Sequence, residues 1–417
     1  MDILTFSKCI PDCRDEKNRL YDASELVFIT LVAVLCGSDT WNDIEEFCEY
    51  NFKYFKDRLP NLRGVPSHDT LNRFFSVLDP SWFEKAFRDW ANDICDRISG
   101  VVAIDGKAVC RNPSDTSNSV KNRLYMVSAW SEANGICLGQ EKVGVKSNEI
   151  TAIPKLIEAL DLRGCIVTID AIGCQKSIAE SIVKAGADYV LCAKKNQKHL
   201  RDLVAFNVNE SKKEIEGYCQ WCEHSNDGHG RHEWRECVCT DFEKLAKFFL
   251  KGWAGVRTLA RVTTKRQIGD GPISEETRYY ITSLPEDPEL ILKSVRAHWS
   301  IENQLHWRMD VAFREDYTRK TDNAAINFSA LGKMALMMLK AWDKKVGIAS
   351  KRKYCSWDEN TRDKVLGIKK PSACVSFRSF SVYSEVGIVI KRNGNPVFTE
   401  AFRNIFQHIP VALPRKV

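Results

Sequence analysis

Hydrophobic and polar positions follow two different periods along this chain, and the change of period divides it. Up to about residue 97 the apolar residues recur every three or four positions, the helical spacing. Glu25–Leu35 and Asn42–Phe55 predict helices, with breaks near Gly37 and Pro60. Ser67, after Pro66, predicts the cap of a helix that stops at Leu78, ahead of Asp79-Pro80. Ser81-Trp-Phe-Glu84 has the spacing of a capping box for a further helix to about Arg97. Short helices with polar faces suit a DNA-binding module and a plain packing domain equally well. Ile98-Ser99-Gly100 marks the boundary.

From Val101 the pattern is that of strands. Val101-Val-Ala-Ile-Asp105-Gly106 and Cys165-Ile-Val-Thr-Ile-Asp170 are short apolar runs that each end in an aspartate, and Gly173 follows the second closely. With the first run, Tyr125–Ser131 and Ile136–Val145 make a meander of three strands. Thr151–Leu160 and Gln175–Ala185 read as helices, and Asp188–Ala193 as a strand leading into Lys194-Lys-Asn-Gln197. This order predicts a mixed α/β sheet with helices on its faces. Residues 200–285 interrupt it with a charged helix-like part, a Gly/His-rich loop and strands at Thr258–Thr264 and Arg278–Thr282.

Helical spacing returns after Pro285 and Pro288. Val295, Trp299, Glu302, His306, Met309 and Phe313 follow at steps of four and three, which predicts one buried stripe with an acid inside it. Ala324–Ala341 predicts another helix, with Leu331, Ala335, Leu336 and Leu339 on its apolar face. The expected divisions are a helical domain at 1–97, a core at 101–199 and 286–345 split by an insertion at 200–285, and a basic tail at 346–417. Within the tail, Val386–Ile390 reads as a short strand.

A buried carboxylate needs a cation, a metal or a proton. Two strand-end aspartates and an inward Glu302 make an oxygen set for divalent cations, and two such ions suit phosphoryl chemistry. Each signal has a plainer reading. A strand-end aspartate is more often a turn residue, and an inward glutamate more often pairs with arginine. Asp310, about 80° round the helix from Glu302, is a rival acid at the edge of the site. Glu315 and Asp316, past the expected helix end, read as surface groups. Lys351–Lys353 reads as a solvated charge run, with contact to a DNA backbone as its lesser use. Cys219, Cys222, His224, His229, His232, Cys237 and Cys239 crowd one stretch, yet only Cys219-x-x-Cys222 has zinc-like spacing. Cys174, beside Asp170, reads as a packed thiol.

Composition adds bounds. The 417 residues, 44% of them hydrophobic, suffice for a large core and two or three domains. The formal charge is +6, but residues 351–417 hold 13 Lys/Arg against 5 Asp/Glu, so the rest of the chain sums to −2. Any basic groove must therefore come from local arrangement. Sixteen cysteines and a start unlike a secretory signal predict a reduced, cytoplasmic chain. The most apolar run, Val27–Cys36, falls short of the roughly 20 residues a membrane span needs, so no membrane partner is expected.

Five segments, in order, carry a resemblance. They are Asp105-Gly-Lys, Lys146-Ser-Asn-Glu-Ile-Thr151, Val167-Thr-Ile-Asp170-Ala-Ile-Gly-Cys-Gln175, Asp188-Tyr-Val-Leu and His298-Trp-Ser-Ile-Glu302-Asn-Gln-Leu-His-Trp307. Together they resemble the H-repeat-associated transposases of bacterial insertion sequences, a branch of the DDE transposases. Pro66-Ser-His-Asp-Thr70, Phe313-Arg-Glu-Asp316, Asn323-Ala-Ala-Ile-Asn-Phe328 and Ser350-Lys-Arg-Lys353 extend the likeness over about residues 8–366.

The resemblance implies a ribonuclease H-like mixed sheet with flanking helices and an inserted segment before the last catalytic helix. It implies Asp105, Asp170 and Glu302 as the catalytic, metal-holding acids. It implies Mg2+, with Mn2+ as a substitute, and metal-dependent DNA end cleavage and strand transfer. The implied partners are double-stranded element ends and target DNA, held by a homodimer in the nucleoid. Lys194, Asn196 and Gln197, after a core strand, and Arg296, His298, Asn303 and Arg308, around Glu302, are expected at the DNA backbone.

Two departures stand out. Many relatives carry a Tyr, Arg, Glu, Lys signature around the last acid. Here Val295 and His298 stand seven and four positions before Glu302, and Met309 stands seven after, so Arg296 and Arg308 become the candidate substitutes. The tail past about residue 367 matches nothing in the family. Two other readings therefore remain: a catalytically inactive, transposase-derived DNA-binding protein, and a zinc-stabilised interaction protein.

Overall fold

The computed structural model describes residues 2–94, 97–109, 124–144, 148–209, 220–228, 230–241, 252–368, 391–392 and 395–396. Met1–Lys369 form one compact unit and Lys370–Val417 a second. Of the second, only the pairing of Lys391–Arg392 with Asn395–Pro396 is described. The strand expected at Val386–Ile390, and Cys219, His229, Lys146 and Ser147, lie outside the described residues.

The chain begins with α1 (Ile3–Lys8), α2 (Ala23–Leu35), α3 (Trp41–Tyr50), α4 (Phe52–Arg58), α5 (His68–Val77) and α6 (Pro80–Asp93). Helix α2 is apolar all round and buried from Glu25 to Leu35, as such a helix must be. Asp22 and Glu25 close its first turn as a capping box. Ser67 caps α5, as its sequence predicts. The expected box at Ser81–Glu84 does not form. Asp79 is the cap instead, accepting from Ser81 N at 2.9 Å, and Pro80 fills the first helical position, where its missing N–H is harmless.

The strands β1 (Val101–Ala108), β2 (Tyr125–Ser131), β3 (Ile136–Lys142), β4 (Ile166–Ile169), β5 (Asp188–Ala193), β6 (Gln220–Gly228), β7 (Arg231–Asp241), β8 (Thr258–Ile268) and β9 (Ser274–Thr282) form one sheet. Its order is β3-β2-β1-β4-β5-β9-β8-β7-β6. β1, β4 and β5 run parallel, and the other neighbours are antiparallel. The stretch read as a Gly/His-rich loop is the long hairpin β6–β7. Its outer half is charged and exposed, and β7 becomes fully buried only from Cys237, so the alternation that signals a strand is confined to one end.

Helices α7 (Glu149–Glu158), α8 (Lys176–Lys184) and α9 (Lys198–Val208) cover one face of the sheet, against Val102, Ile104, Val167, Ile169 and Leu191. α10 (Pro288–His298) covers the other face, where Ile291 and Leu292 meet Val190, Cys192, Ala260 and Tyr280. One wide π turn, Glu302–His306, leads into α11 (Trp307–Phe313). α12 (Asp322–Ala341), α13 (Ile348–Trp357) and α14 (Glu359–Leu366) follow. α12 packs against α2, α5 and α6, so the first and last helices share one core. Leu331, Leu336 and Leu339 of α12 are fully buried, each contributing about 1.5–3 kcal/mol.

Of the run Lys351–Lys353 only Lys353 is exposed; Lys351 and Arg352 are buried. Lys351 Nζ donates to Leu339 O at 2.8 Å, and Arg352 donates to Val34 O at 2.7 Å and to Asp39 Oδ1 at 2.7 Å. Val34 and Leu339 lie in the last turns of α2 and α12, whose carbonyls have no helical partner, and the buried cations satisfy them.

Candidate functional site

Strand pairing brings the two aspartates together. Ile104 of β1 lies beside Ile169 of β4 in parallel register, so the next residues, Asp105 and Asp170, stand side by side where β4 ends. Asp170 turns the chain as well: its Oδ1 accepts from Ile172 N at 2.8 Å and caps the short turn Ala171–Gly173. Gly173 is required there, because a Cβ would collide with the Ile169 side chain, its own Cβ at 2.9 Å. Asn196 donates to Ala171 O at 2.6 Å and Gln197 to Cys174 O at 3.0 Å, so both amides tie down this turn. Cys174 is buried, and burial pushes its thiol up to about 12, as befits a packed thiol.

The third acid arrives differently from the expectation. The stripe from Val295 to Phe313 is not buried throughout: His306, Met309 and Phe313 are buried, but Trp299 is 48% exposed and the Glu302 side chain 55%. The π turn explains the difference. Its i→i+5 bonding adds about one residue to a turn and shifts the buried face by about 100°. Glu302 is thus held by a partner and not driven inward by its neighbours. His306 Nδ1 lies 3.2 Å from Glu302 Oε2 and 3.6 Å from Asp105 Oδ2. The ring is buried, and its Nε2 has no hydrogen-bond partner among the described residues.

The charges respond to this crowding. Burial, with repulsion from Asp170 and Glu302, raises the Asp105 carboxyl against the pull of His306. The bond from His306 lowers that of Glu302. Glu149, at the start of α7, is raised to about 7 by burial and by the Asp105 and Asp170 charges. Sequence reasoning gave Glu149 no role; its only sign was its place in the Lys146–Thr151 segment. Ligand atoms of Asp105, Glu302 and His306 all lie within 4.8 Å of one another, a mainly oxygen donor set that fits a divalent cation.

Lys107, two residues past Asp105 on the same side of β1, ties the strand to the helix beyond Glu302. Its Nζ pairs with Asp310 and lies 3.1 Å from Glu315 Oε2 and 3.9 Å from Asp316 Oδ1. Asp310, the rival acid, is therefore bound to a lysine. Glu315, expected at the surface, is 7% exposed and also accepts from Ser329 at 2.7 Å.

The other expected contacts divide. Lys194 and Arg296 are exposed. Asn303 is exposed, with its amide bonded to Trp299 O at 3.1 Å, and Arg308 is half-buried. His298 turns inward: its Nδ1 lies 3.2 Å from Thr168 Oγ1, and burial lowers it to about 4. A groove beside Glu302 runs between α10 and the β7–β9 sheet, lined by Arg231, Arg235, Arg266, Arg278, Arg296 and Trp299. Glu233 pairs with Arg235 and Arg266, and Glu276 with Arg278, so the groove is only partly cationic. In the cysteine-rich stretch, Cys222 and Cys237 face each other across β6–β7, and Cys222, His224 and Glu289 have ligand atoms within 4.8 Å. His232 pairs with Asp227.

A mixed α/β sheet with carboxylates clustered on adjacent parallel strands defines a protein with a candidate acidic metal site. Comparison with known proteins gives the family. The model of the transposase DDE domain matches residues 97–339, and the model of the DDE_Tnp_1-associated region matches residues 4–91. YncI of Escherichia coli O157:H7, named as a transposase, is 37% identical over 84% of this chain and 90% of its own. YhhI of Escherichia coli K12, named as an H repeat-associated transposase, is 36% identical over 86% of this chain and 95% of its own. YbfQ of the same strain, named an inactive transposase, is 33% identical over only 16% of this chain and 79% of its own. The chain belongs to the DDE transposases, in their H repeat-associated branch. A solved piggyBac transposase synaptic complex with hairpin DNA covers 88% of this chain and 76% of its own at 13% identity, but its TM-score of 0.39 is too low to bear on fold or function. No helix among the described residues is long and apolar enough to cross a membrane.

Proposed function

We propose that the protein is a metal-dependent DNA transposase that cleaves DNA at the ends of an insertion sequence and joins the freed ends to target DNA. One observation carries this: Asp105 within β1 and Asp170 just past the end of β4 are adjacent on neighbouring parallel strands, and His306 joins Glu302 to Asp105. In this reading the three acids are catalytic. β3-β2-β1-β4-β5 is a ribonuclease H-like core, α9 and β6–β9 belong to the inserted segment before the last acid, and the N-terminal helices are the DNA-binding domain.

Asp105, Asp170 and Glu302 would hold magnesium or manganese, which when bound stabilises charge on the attacking and leaving oxygens. The chain's own residues do the positioning. His306, locked by burial, orients the Glu302 carboxylate. Asn196 and Gln197 hold the Asp170 turn through their own amides. Lys107 clamps α11 to β1. Lys194, Arg296, Asn303, Arg308 and the arginine-lined groove meet the phosphate backbone, which positions DNA without reading it. A homodimer on paired ends would supply one such site to each end.

The test is a cleavage assay on DNA carrying the flanking element ends, with magnesium, for wild type, Asp105→Asn and Glu302→Gln. Both variants should cleave at least about 100-fold more slowly, roughly 2.7 kcal/mol of barrier, and keep their DNA binding. Undiminished cleavage by either variant sinks the assignment of that acid. A wild type that binds and never cleaves would instead point to the inactive DNA-binding descendant.

A further inference from the structure

Gly106 follows Asp105 on β1, and another side chain fills the space its own would occupy. A Cβ at Gly106 would collide with the Glu149 carboxylate, whose Oε2 lies 2.8 Å from it. Neighbouring strand residues face opposite sides. Val102 and Ile104 pack with α7, so Gly106 faces that layer and Asp105 faces the other. The missing side chain therefore leaves a gap within β1 on the α7 face. In that space the carboxylate of the first residue of α7 lies against the β1 backbone beside Asp105, close enough to feel the Asp105 and Asp170 charges. α7 is anchored for this by Ala152, Ile153, Leu156 and Ile157, all buried against the sheet, and by contact with the turn after Asp170.

The nearby acids have other employment. Asp310 and Glu315 take Lys107, and Glu302 takes His306. Glu149 has no hydrogen bond or ion pair to another described residue, and its nearest charges repel it. A half-buried carboxylate placed against two others is unfavourable unless a cation joins them. Charge balance points the same way. Two divalent ions carry four positive charges, which Asp105, Asp170 and Glu302 leave short by one.

We propose that Glu149 is a fourth carboxylate ligand of the divalent-metal centre, reaching the ion on the Asp105–Asp170 side, directly or through one water. This rests on the reading of Asp105, Asp170 and Glu302 as that centre. Gly106 is then a positioning residue, because only glycine lets the fourth ligand in.

The experiment is Mn2+ binding to the full chain, read from the electron paramagnetic resonance of the free ion. The proteins are wild type, Asp105→Asn, Glu149→Gln, Gly106→Ala and the Gly106→Ala/Glu149→Gln double variant. Melting temperatures are taken without metal and with Mn2+. Glu149→Gln should weaken Mn2+ binding at least tenfold and gain less melting temperature from Mn2+ than wild type does. Without metal it should melt no lower than wild type, whereas a merely structural glutamate would leave the protein less stable. Gly106→Ala should weaken binding similarly with Glu149 intact, and the double variant should be no worse than either single one. Loss of binding in Asp105→Asn with Glu149→Gln within twofold of wild type overturns the role of Glu149 alone. Wild-type binding by Asp105→Asn overturns the centre itself, and the fourth ligand with it.

Discussion

Replacing Lys107 with methionine keeps most of the side-chain volume and removes one charge from a buried cluster. Lys107 is the bonded cation of Glu315 and Asp310, and Glu315 is 7% exposed. After the change Glu315 keeps the Ser329 hydroxyl at 2.7 Å and the more distant charge of Lys333. Removing one partner of a buried pair costs about 3–5 kcal/mol, most of it from the uncompensated charge left behind. Unfolding entropy of about 2.1 cal/mol/K per residue gives the unit Met1–Lys369 about 0.8 kcal/mol/K, so melting should fall by about 4–6 °C.

The pH dependence has a definite sign. In the wild type, burial pushes the Glu315 carboxyl up, but Lys107, Lys333 and Ser329 outweigh it and hold it below its usual value. That contribution is present at neutral pH and is lost as pH falls through the lowered value. Lys107 is raised by its acids against the effect of burial, so its contribution is present in full at neutral pH and is lost as pH climbs from the ordinary lysine value through the raised one. In Lys107→Met the burial of Glu315 is less opposed, and its carboxyl moves upward. The deficit is then largest near pH 8 and shrinks towards pH 5. Circular-dichroism melts at both pH values would measure it, with Glu315→Gln and the double variant alongside. The double variant should recover at least about half of the loss. A Lys107→Met melt within about 1 °C of wild type, or a deficit that grows on acidification, would refute this account.

Three further predictions concern neighbouring features. Burial raises Glu84 to about 7, so its ionisation costs stability as pH climbs from about 4.5 to 7; Glu84→Gln should be more stable than wild type by about 1–3 kcal/mol at pH 8 and equal to it near pH 4, read from urea midpoints. Arg352→Met removes the arginine from Ala312 O and Asp39 and leaves Val34 O only its turn bond from Gly37 N, and should lower stability by about 3 kcal/mol, with a shift of less than about 1 kcal/mol counting against the capping role. Gly173→Ala pushes against Ile169 beside Asp170 and should cut DNA cleavage about tenfold for a stability loss of about 1–3 kcal/mol; unchanged cleavage would mean that the turn tolerates displacement of Asp170.

Much of the architecture is legible in local pattern. Tyr125–Ser131 and Asp188–Ala193 are strands with the bounds their apolar runs predict. The helix at His68–Val77 begins where its cap, Ser67, stands, and the helix read from Glu25 starts two residues earlier, at Ala23. The strand-end placement of Asp170 follows from its run, whereas β1 continues past Asp105 to Ala108, because pairing with β2 extends the strand beyond its buried stretch. The β6–β7 hairpin was hidden because its outer half is charged and exposed on both faces. Periodicity reports burial, and that half has little.

The sequence by itself determined most of the order of helices and strands outside the β6–β7 hairpin, the mixed sheet, the two aspartates on adjacent strands and the family. Those depend on local spacing, apolar period and chain order. The tertiary structure decided which charges meet. Glu315 finds Lys107 across 208 positions, Asp363 takes Arg58 across 305, and Arg352 reaches Val34 across 318. It also decided the state of Glu302, because one π turn re-aimed the helix and His306 replaced burial as the hold on its carboxylate. Helix period can say that a residue shares a face with its neighbours. It cannot say what stands opposite, because that partner is set by packing between segments hundreds of residues apart.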